Sequence, residues 1–304
     1  MKTKDLLLAS VLLAAVCALS SGAAIYSNDF NTRQSDGAVG GSTTFTYSDG
    51  DLVGDGDFGE GQDTWLRRID DLGEPTAVEV ANTSGNAYAQ YYGATSNYTY
   101  TGQNFGSEIT TGTVTVRADI RAPSGWDGNV KGAFLTLGDD TFLTQPYADD
   151  PKFYTYTASW FGFMSSSGDA GDVDFGMHDG DGSGWTASNA SITTGNWYRF
   201  VGEVDMDTKT YDVDIYDMGA TQPGLNTAPP GSAYHTWSDL GFRDATLSSI
   251  TTVGTAVWSA GSNDPSASGA VRMDNIEIIP EPSTLSLAIV ILLAALARTR
   301  QWAE

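Results

Sequence analysis

Between residues 25 and 279 the sequence predicts an all-β fold, an antiparallel sandwich of two sheets. Three observations predict it. Short runs alternate apolar and polar side chains with a period of two; Gly, Asn, Asp, Ser and Thr punctuate those runs; and no stretch there repeats apolar residues at helical spacing. The chain has 304 residues with 35 glycines and a formal net charge of −23. A field of that sign disfavours nucleic acid and anionic lipid, and leaves divalent cations or neutral sugars as partners, or solubility as its only use.

In chain order, Lys2 and Lys4 open a basic segment, residues 6–19 form an apolar run, and Ser21-Gly22-Ala23-Ala24 offers the small residues a signal peptidase cuts after. Residues 1–24 are therefore expected to be a signal peptide. Cys17, the one cysteine, falls inside it, so the exported chain has neither disulfides nor thiol chemistry. Strands are expected near 25–30, 43–47, 76–81, 86–92, 130–137, 153–164, 172–177, 246–258 and 271–279. The clearest is residues 113–121, where Val114, Val116, Ala118 and Ile120 alternate with Thr115, Arg117, Asp119 and Arg121. Residues 196–217 read as a hairpin: Tyr198, Phe200, Gly202 and Val204 alternate with Arg199, Val201, Glu203 and Asp205, then Met206 to Thr210 turn, then Tyr211, Val213 and Ile215 alternate with Asp212 and Asp214. Residues 221–231, rich in Pro and Gly, read as a long loop within one domain of residues 25–279.

The chain ends with Pro280-Glu281-Pro282, an apolar run over 285–297, and the basic residues Arg298 and Arg300. As a helix that run spans about 20 Å, short of a hydrocarbon core of about 30 Å. The arginines would stay on the cytoplasmic side and leave the body outside. Residues 280–304 resemble the PEP-CTERM sorting signal of Gram-negative bacteria. The resemblance implies export, recognition by an exosortase, transient anchoring by a C-terminal hydrophobic helix, and delivery to the cell surface or extracellular matrix. Membrane contact is expected only through the two terminal segments.

The body carries a second resemblance. The run Thr194-Gly-Asn-Trp197-Tyr-Arg-Phe-Val-Gly-Glu-Val-Asp205 with Tyr211-Asp-Val-Asp-Ile215 is similar to the Gly-x-Trp-Tyr hairpin of concanavalin A-like, laminin-G-like jelly rolls. Residues 271–278 are similar to the closing strand of that fold, and 25–30 to its first. The resemblance implies a jelly-roll sandwich, and with it a structural calcium between the last-strand Asp274 and Asp29 or Asn28 of the first strand. It leaves function open, because binding modules, glycosidases, lyases and adhesion domains share this sandwich. No organic cofactor is expected.

Three constellations could carry chemistry. Glu203-Val-Asp205-Met-Asp207-Thr208 is similar to the Glu-x-Asp-x-x-Glu strand of family 16 glycoside hydrolases, but Thr208 stands where the second glutamate belongs and Asp207 falls in the expected turn. Catalytic residues are therefore expected to be none, and His178 and His235 are read as loop or surface histidines. Acidic, glycine-rich loops occur at 49–60 and 179–184; the second starts like a calcium loop, yet Ala190 occupies the position of the closing glutamate. Finally, Trp126 and Trp185 lie in Gly, Ser and Asp surroundings and are the expected ligand-binding rings, since sugar C–H faces stack on aromatic faces. Trp160 and Trp197, inside expected strands, are read as packing residues. Together these features point to an exported, non-catalytic carbohydrate-binding or matrix component; a polysaccharide-degrading enzyme and a purely structural surface protein are the rival expectations.

Overall fold

The computed structural model describes residues 24–30, 32–37, 41–46, 50–51, 66–69, 77–83, 86–92, 98–123, 132–139, 141, 156–165, 172–180, 184–258 and 270–281. The strands run β1 (Tyr26–Asn28), β2 (Thr32–Gly37), β3 (Gly41–Thr46), β4 (Gly50–Asp51), β5 (Leu66–Ile69) and β6 (Ala77–Thr83). They continue with β7 (Asn86–Tyr92), β8 (Tyr98–Ile109), β9 (Thr113–Arg121), β10 (Gly132–Gly138), β11 (Thr157–Met164) and β12 (Asp174–His178). The last six are β13 (Trp185–Ala187), β14 (Trp197–Asp205), β15 (Thr210–Gly219), β16 (His235–Gly241), β17 (Ile250–Trp258) and β18 (Val271–Pro280).

The described strands form two antiparallel sheets stacked as a jelly-roll sandwich. The large sheet has the order β16-β15-β14-β9-β18-β1-β2-β3, with β7, β6 and β4 joining at β18. The small one has the order β13-β12-β11-β10-β17-β8-β5. The expected strand over residues 113–121 is β9, and the expected hairpin is β14–β15, paired from Trp197↔Gly219 to Asp205↔Thr210. Among the described residues no helix is long and apolar enough to cross a membrane. The segments 1–23 and 282–304 lie outside the described residues, and with them Pro282, Arg298 and Arg300. Pro280 ends β18, and the Glu281 N–H donates to the Thr113 carbonyl at 3.1 Å.

Alternation explains the core. Val114, Val116, Ala118 and Ile120 of β9 and Tyr198, Phe200 and Val204 of β14 are buried against Ala133, Leu135 and Leu137 of β10, Phe161 and Phe163 of β11 and Phe175 of β12. Gly202 takes its place in this row because a Cβ there would come 2.9 Å from the Phe161 ring. Phe163 meets Phe200 edge-on at 5.4 Å and Phe175 meets Tyr198 edge-on at 5.2 Å, geometries that favour aromatic pairs.

Part of the interface between the sheets is polar. Tyr91 of β7 shares its hydroxyl with Thr255 of β17 at 2.7 Å and Thr101 of β8 at 3.1 Å. Tyr26 donates to Gln103 at 2.8 Å and accepts from Asn28 Nδ2 at 3.1 Å. Burial pushes the Tyr91 phenol up to about 12, so it stays a neutral donor.

Candidate functional site

The period of two that sends Ala133, Leu135 and Leu137 inward sends Phe134 and Thr136 to the outer face of the small sheet. Register carries that face across the neighbouring strands. Thr136 pairs Trp160 and Phe134 pairs Gly162; Gly162 pairs Gly176, and His178 pairs Trp185. The result is an aromatic group on one end of the sheet. The Phe134 and Trp185 rings lie 4.5 Å apart at 30°, Trp160 meets Trp185 edge-on at 5.4 Å, and His178 meets it edge-on at 5.0 Å. Phe134 and Trp160 are each 2% exposed, whereas Trp185 is only partly buried and is the open ring of the group. Trp160 Nε1 donates to Thr157 Oγ1 at 2.6 Å, which satisfies its one donor.

Glycines keep this face low. A Cβ on Gly162 would stand 2.0 Å from the Ala133 carbonyl oxygen, and one on Gly176 would stand 2.4 Å from Met164 Cγ. Polar groups border the aromatic end. Arg243 Nη1 lies 3.3 Å from His178 Nδ1, and the Arg243 backbone N–H donates to the Ala158 carbonyl at 2.9 Å. Asp179 Oδ1 accepts from the Gly241 N–H at 2.8 Å, tying this border to β16. Beneath, the Tyr211 hydroxyl donates to the His178 carbonyl; burial drives that phenol far above its ordinary value.

Trp185, expected in a loop, instead sits on edge strand β13 with its ring on the sheet face. Trp126 lies outside the described residues. Both histidines depart from the surface role expected of them. His178 is 2% exposed on β12, and His235 lies on β16 with its ring stacked on Phe175 at 6.1 Å and against Trp237 at 4.6 Å. Strand register, which a histidine with no motif around it does not announce, is the reason. Neither Phe134 nor Arg243 stands out in the sequence; the opposite parity of Phe134 to its core neighbours is the one local signal for it.

The acidic strand behaves as expected. Glu203 is exposed on the outer face of the large sheet, opposite Asp212 of β15, and Asp207 is exposed in the turn. Burial and then the charges of Glu281, Asp212 and Asp214 raise the Glu203 carboxyl.

The middle of that same outer face is not open to water. Loop residues 222–227 lie over it, and donors from the sheet hold their carbonyls. Arg199 binds Asp119 through Nε–Oδ1 and Nη2–Oδ2, both 2.7 Å, and donates to the Thr227 and Gly224 carbonyls. Asn275 Nδ2 donates to Asp119 Oδ2 at 2.6 Å and to the Pro223 carbonyl at 2.8 Å. Arg117 pairs Glu277 and donates to the Leu225 carbonyl at 2.8 Å. A bulge in β18 between Asp274 and Glu277 sets Asn275 at φ 53°, a left-handed conformation asparagine tolerates.

Asp274, expected at a calcium site, is fully buried beside this network. Its Oδ2 accepts from Gln222 Nε2 at 2.8 Å and its Oδ1 from the Asn275 N–H at 2.7 Å. Burial raises its carboxyl well above the ordinary range; those two donors pull it back, and the charges of Asp119 and Asp29 push it up again. Calcium takes six to eight oxygens. Here N–H donors face both Asp274 oxygens. A calcium ion at this place would have to share the Asp274 oxygens with those two N–H donors.

The class that fold and site define is a two-sheet antiparallel jelly-roll sandwich with an aromatic group on the outer face of its smaller sheet. No family model matches the chain, and no curated relative matches it. Among solved structures, lectin II from Ulex europaeus is similar at 9% identity and a TM-score of 0.42, covering 74% of this chain and 96% of that one. Domain 4 of AbnA, a GH43 extracellular arabinanase from Geobacillus stearothermophilus, in complex with arabinotriose, is similar at 15% identity and a TM-score of 0.39, covering 88% and 98%. A carbohydrate esterase from the Shiga toxin-encoding bacteriophage phi24B is similar at 8% identity and a TM-score of 0.40, covering 71% and 90%. At such scores the likeness carries no argument about ligand or activity.

Proposed function

We propose that this chain is an exported carbohydrate-binding protein without catalytic activity, delivered to the cell surface or extracellular matrix of a Gram-negative bacterium. One observation carries the binding reading: Trp185 presents a partly open ring, held from below by Phe134 and from the sides by Trp160 and His178, on a sheet face kept low by Gly162 and Gly176. A rigid ring loses little freedom on stacking against a sugar, and Arg243 and Asp179 at its border supply hydrogen-bonding groups. The non-catalytic part is supported by Thr208, which stands where a retaining pair would need its second carboxylate. Export and sorting rest on the two terminal segments, with a signal peptidase and an exosortase as processing partners.

The test is titration of the full-length chain with a panel of neutral oligosaccharides, with calcium and again with EDTA, while reducing ends and unsaturated products are assayed in the same samples. Trp185→Ala is expected to weaken binding at least ten-fold, about 1.4 kcal/mol. Absence of saturable binding, or equal binding by the variant, would reject the site, and product release would reject the non-catalytic reading. Loss of binding on chelation would restore the expected structural calcium and require Asp274 to turn away from Gln222.

A further inference from the structure

The loop over the large sheet meets the strands through main-chain oxygens. The carbonyls of Pro223, Gly224, Leu225 and Thr227 accept from Asn275 of β18, Arg199 of β14 and Arg117 of β9. N–H groups of the loop stay within it: the Gly224 N–H donates to Thr227 Oγ1 at 3.0 Å, and the Thr227 N–H to the Gly224 carbonyl at 2.9 Å. Among the described residues no strand ladder includes the loop, and no backbone–backbone bond ties it to the sheet. Its start is anchored by the buried Pro223 and by Gln222, whose Nε2 donates to Asp274 Oδ2 at 2.8 Å and to the Ala87 carbonyl at 2.9 Å. Gly224, Asn226, Thr227 and Ala228 are exposed.

The donors beneath the loop are oriented by the sheet itself. Asp119 holds Arg199 through two bonds of 2.7 Å and Asn275 through one of 2.6 Å, and Glu277 holds Arg117. Donors fixed in this way do not need the loop to keep their directions. At the two ends of the loop stand Gly219 at φ 81° and Gly231 at φ 62°, and at each no neighbour lies within 4 Å of the place a Cβ would take. Both glycines are therefore free to turn without displacing a packed side chain, as hinge positions require.

We propose that residues 220–230 are a hinged strap that fills, in cis, a groove suited to the main chain of an extended peptide, and that a peptide in trans takes the strap's place when it lifts. Arg117, Arg199 and Asn275 ask for acceptor oxygens at close residue spacing and make little use of side chains. A segment rich in Pro and Gly answers that demand, since proline brings a carbonyl and no N–H that would need a partner. Guanidinium and amide donors left bare in the open groove are costly, so either the strap or another acceptor chain occupies it. The strap is thereby an autoinhibitory contact, and a competing peptide binds with its intrinsic affinity reduced by the fraction of chains that are open. This groove lies on the large sheet, apart from the aromatic face of the small one, and does not rest on the glycan reading.

The experiment is titration of the full-length chain with an end-capped hexapeptide copying residues 222–227, and with maltohexaose, for the parent and for Gln222→Ala. Gln222→Ala loosens the strap and leaves the groove donors in place, so it is expected to bind the peptide about ten-fold more tightly than the parent, or better. Adding Asn275→Gly or Arg117→Lys to Gln222→Ala is expected to undo that gain. Both changes are mild: glycine keeps the φ of 53° at position 275 and loses only the amide, while lysine keeps the charge opposite Glu277 and loses only the fork. Circular dichroism of each variant checks that the sandwich is intact. No saturable peptide binding by Gln222→Ala, equal binding by parent and variant, or a gain that survives both groove changes would overturn the proposal. Maltohexaose binding that rises in Gln222→Ala where peptide binding does not would give the groove to a sugar chain and overturn it as well.

Discussion

Single residues show most directly where side-chain alternation is decisive and where it misleads. Gly202 occupies a core position in β14 only because it lacks a side chain: a Cβ would come 2.9 Å from two Phe161 ring atoms and 3.1 Å from Val116 Cγ1. Gly202→Ala is expected to destabilise by about 1–3 kcal/mol, as overpacked cores do. Urea unfolding should show a lower midpoint at unchanged slope; an unchanged midpoint would mean that the Phe161–Phe200 stack yields without cost. Parity places Gly202 correctly from sequence alone. The same parity puts Arg199 on the solvent side, yet Arg199 is fully buried. What buries it is the chain at 222–227, more than 20 positions further on, and no local pattern carries that information. Trp185 is a parallel case, its strand being three residues long and defined by pairing with β12 rather than by its own sequence.

At the scale of elements, the β14–β15 hairpin and β9 are legible because their inward residues, Asp217 near the end of β15 apart, are apolar or glycine. β8 is not. It is twelve residues long, but its inward positions include Thr101 and Gln103, which are buried because Tyr91 and Tyr26 reach them across the sandwich. β16 escapes the pattern too, since His235, Trp237 and Leu240 are separated by a register irregularity with Asp239 at φ 58°. The loop at 221–231 is plain from its Pro and Gly content, but its attachment is hidden: its carbonyls are bound by Arg199, Arg117 and Asn275 from three strands. Removing one member of a buried ion pair leaves the other uncompensated, so Arg199→Met is expected to cost about 3–5 kcal/mol. The double variant Arg199→Met with Asp119→Leu should cost less than the two single changes summed, because the isolated buried charge is gone. Additive losses in a chemical-denaturation cycle would show that the guanidinium acts through the loop carbonyls and not through Asp119.

For the molecule as a whole, the balance of acid over base and the location of the buried carboxyls fix the sign of the pH dependence. Asp274, Glu277 and Glu203 all have carboxyls raised in the fold, in each case first by burial; for Glu277 the Arg117 charge pulls part of the way back. A raised carboxyl keeps its proton in the folded chain at a pH where the unfolded chain has lost it. Stability therefore increases as pH falls from neutral toward the ordinary carboxyl value near 4, and is lost as pH rises through the folded values. Easing the repulsion within a chain of net charge −23 works in the same direction. A ten-fold difference in proton affinity between the folded and unfolded chain is worth about 1.4 kcal/mol, and a domain of this size melts about 2–4 °C higher per kcal/mol. With the buried Asp274 carboxyl raised furthest, melting at about pH 5 should exceed that at about pH 7.5. Salt divides the contributions: at about 1 M NaCl the outer-face group of Glu203, Asp212 and Asp214 is screened, while the buried Asp274 is not. Asp274→Asn should accordingly reduce the pH dependence that survives high salt, leaving the part due to the buried Glu277. Calorimetry that finds melting flat or falling across that interval would mean that Gln222 and the Asn275 N–H hold Asp274 as a carboxylate, and that burial is outweighed at the centre of the large sheet.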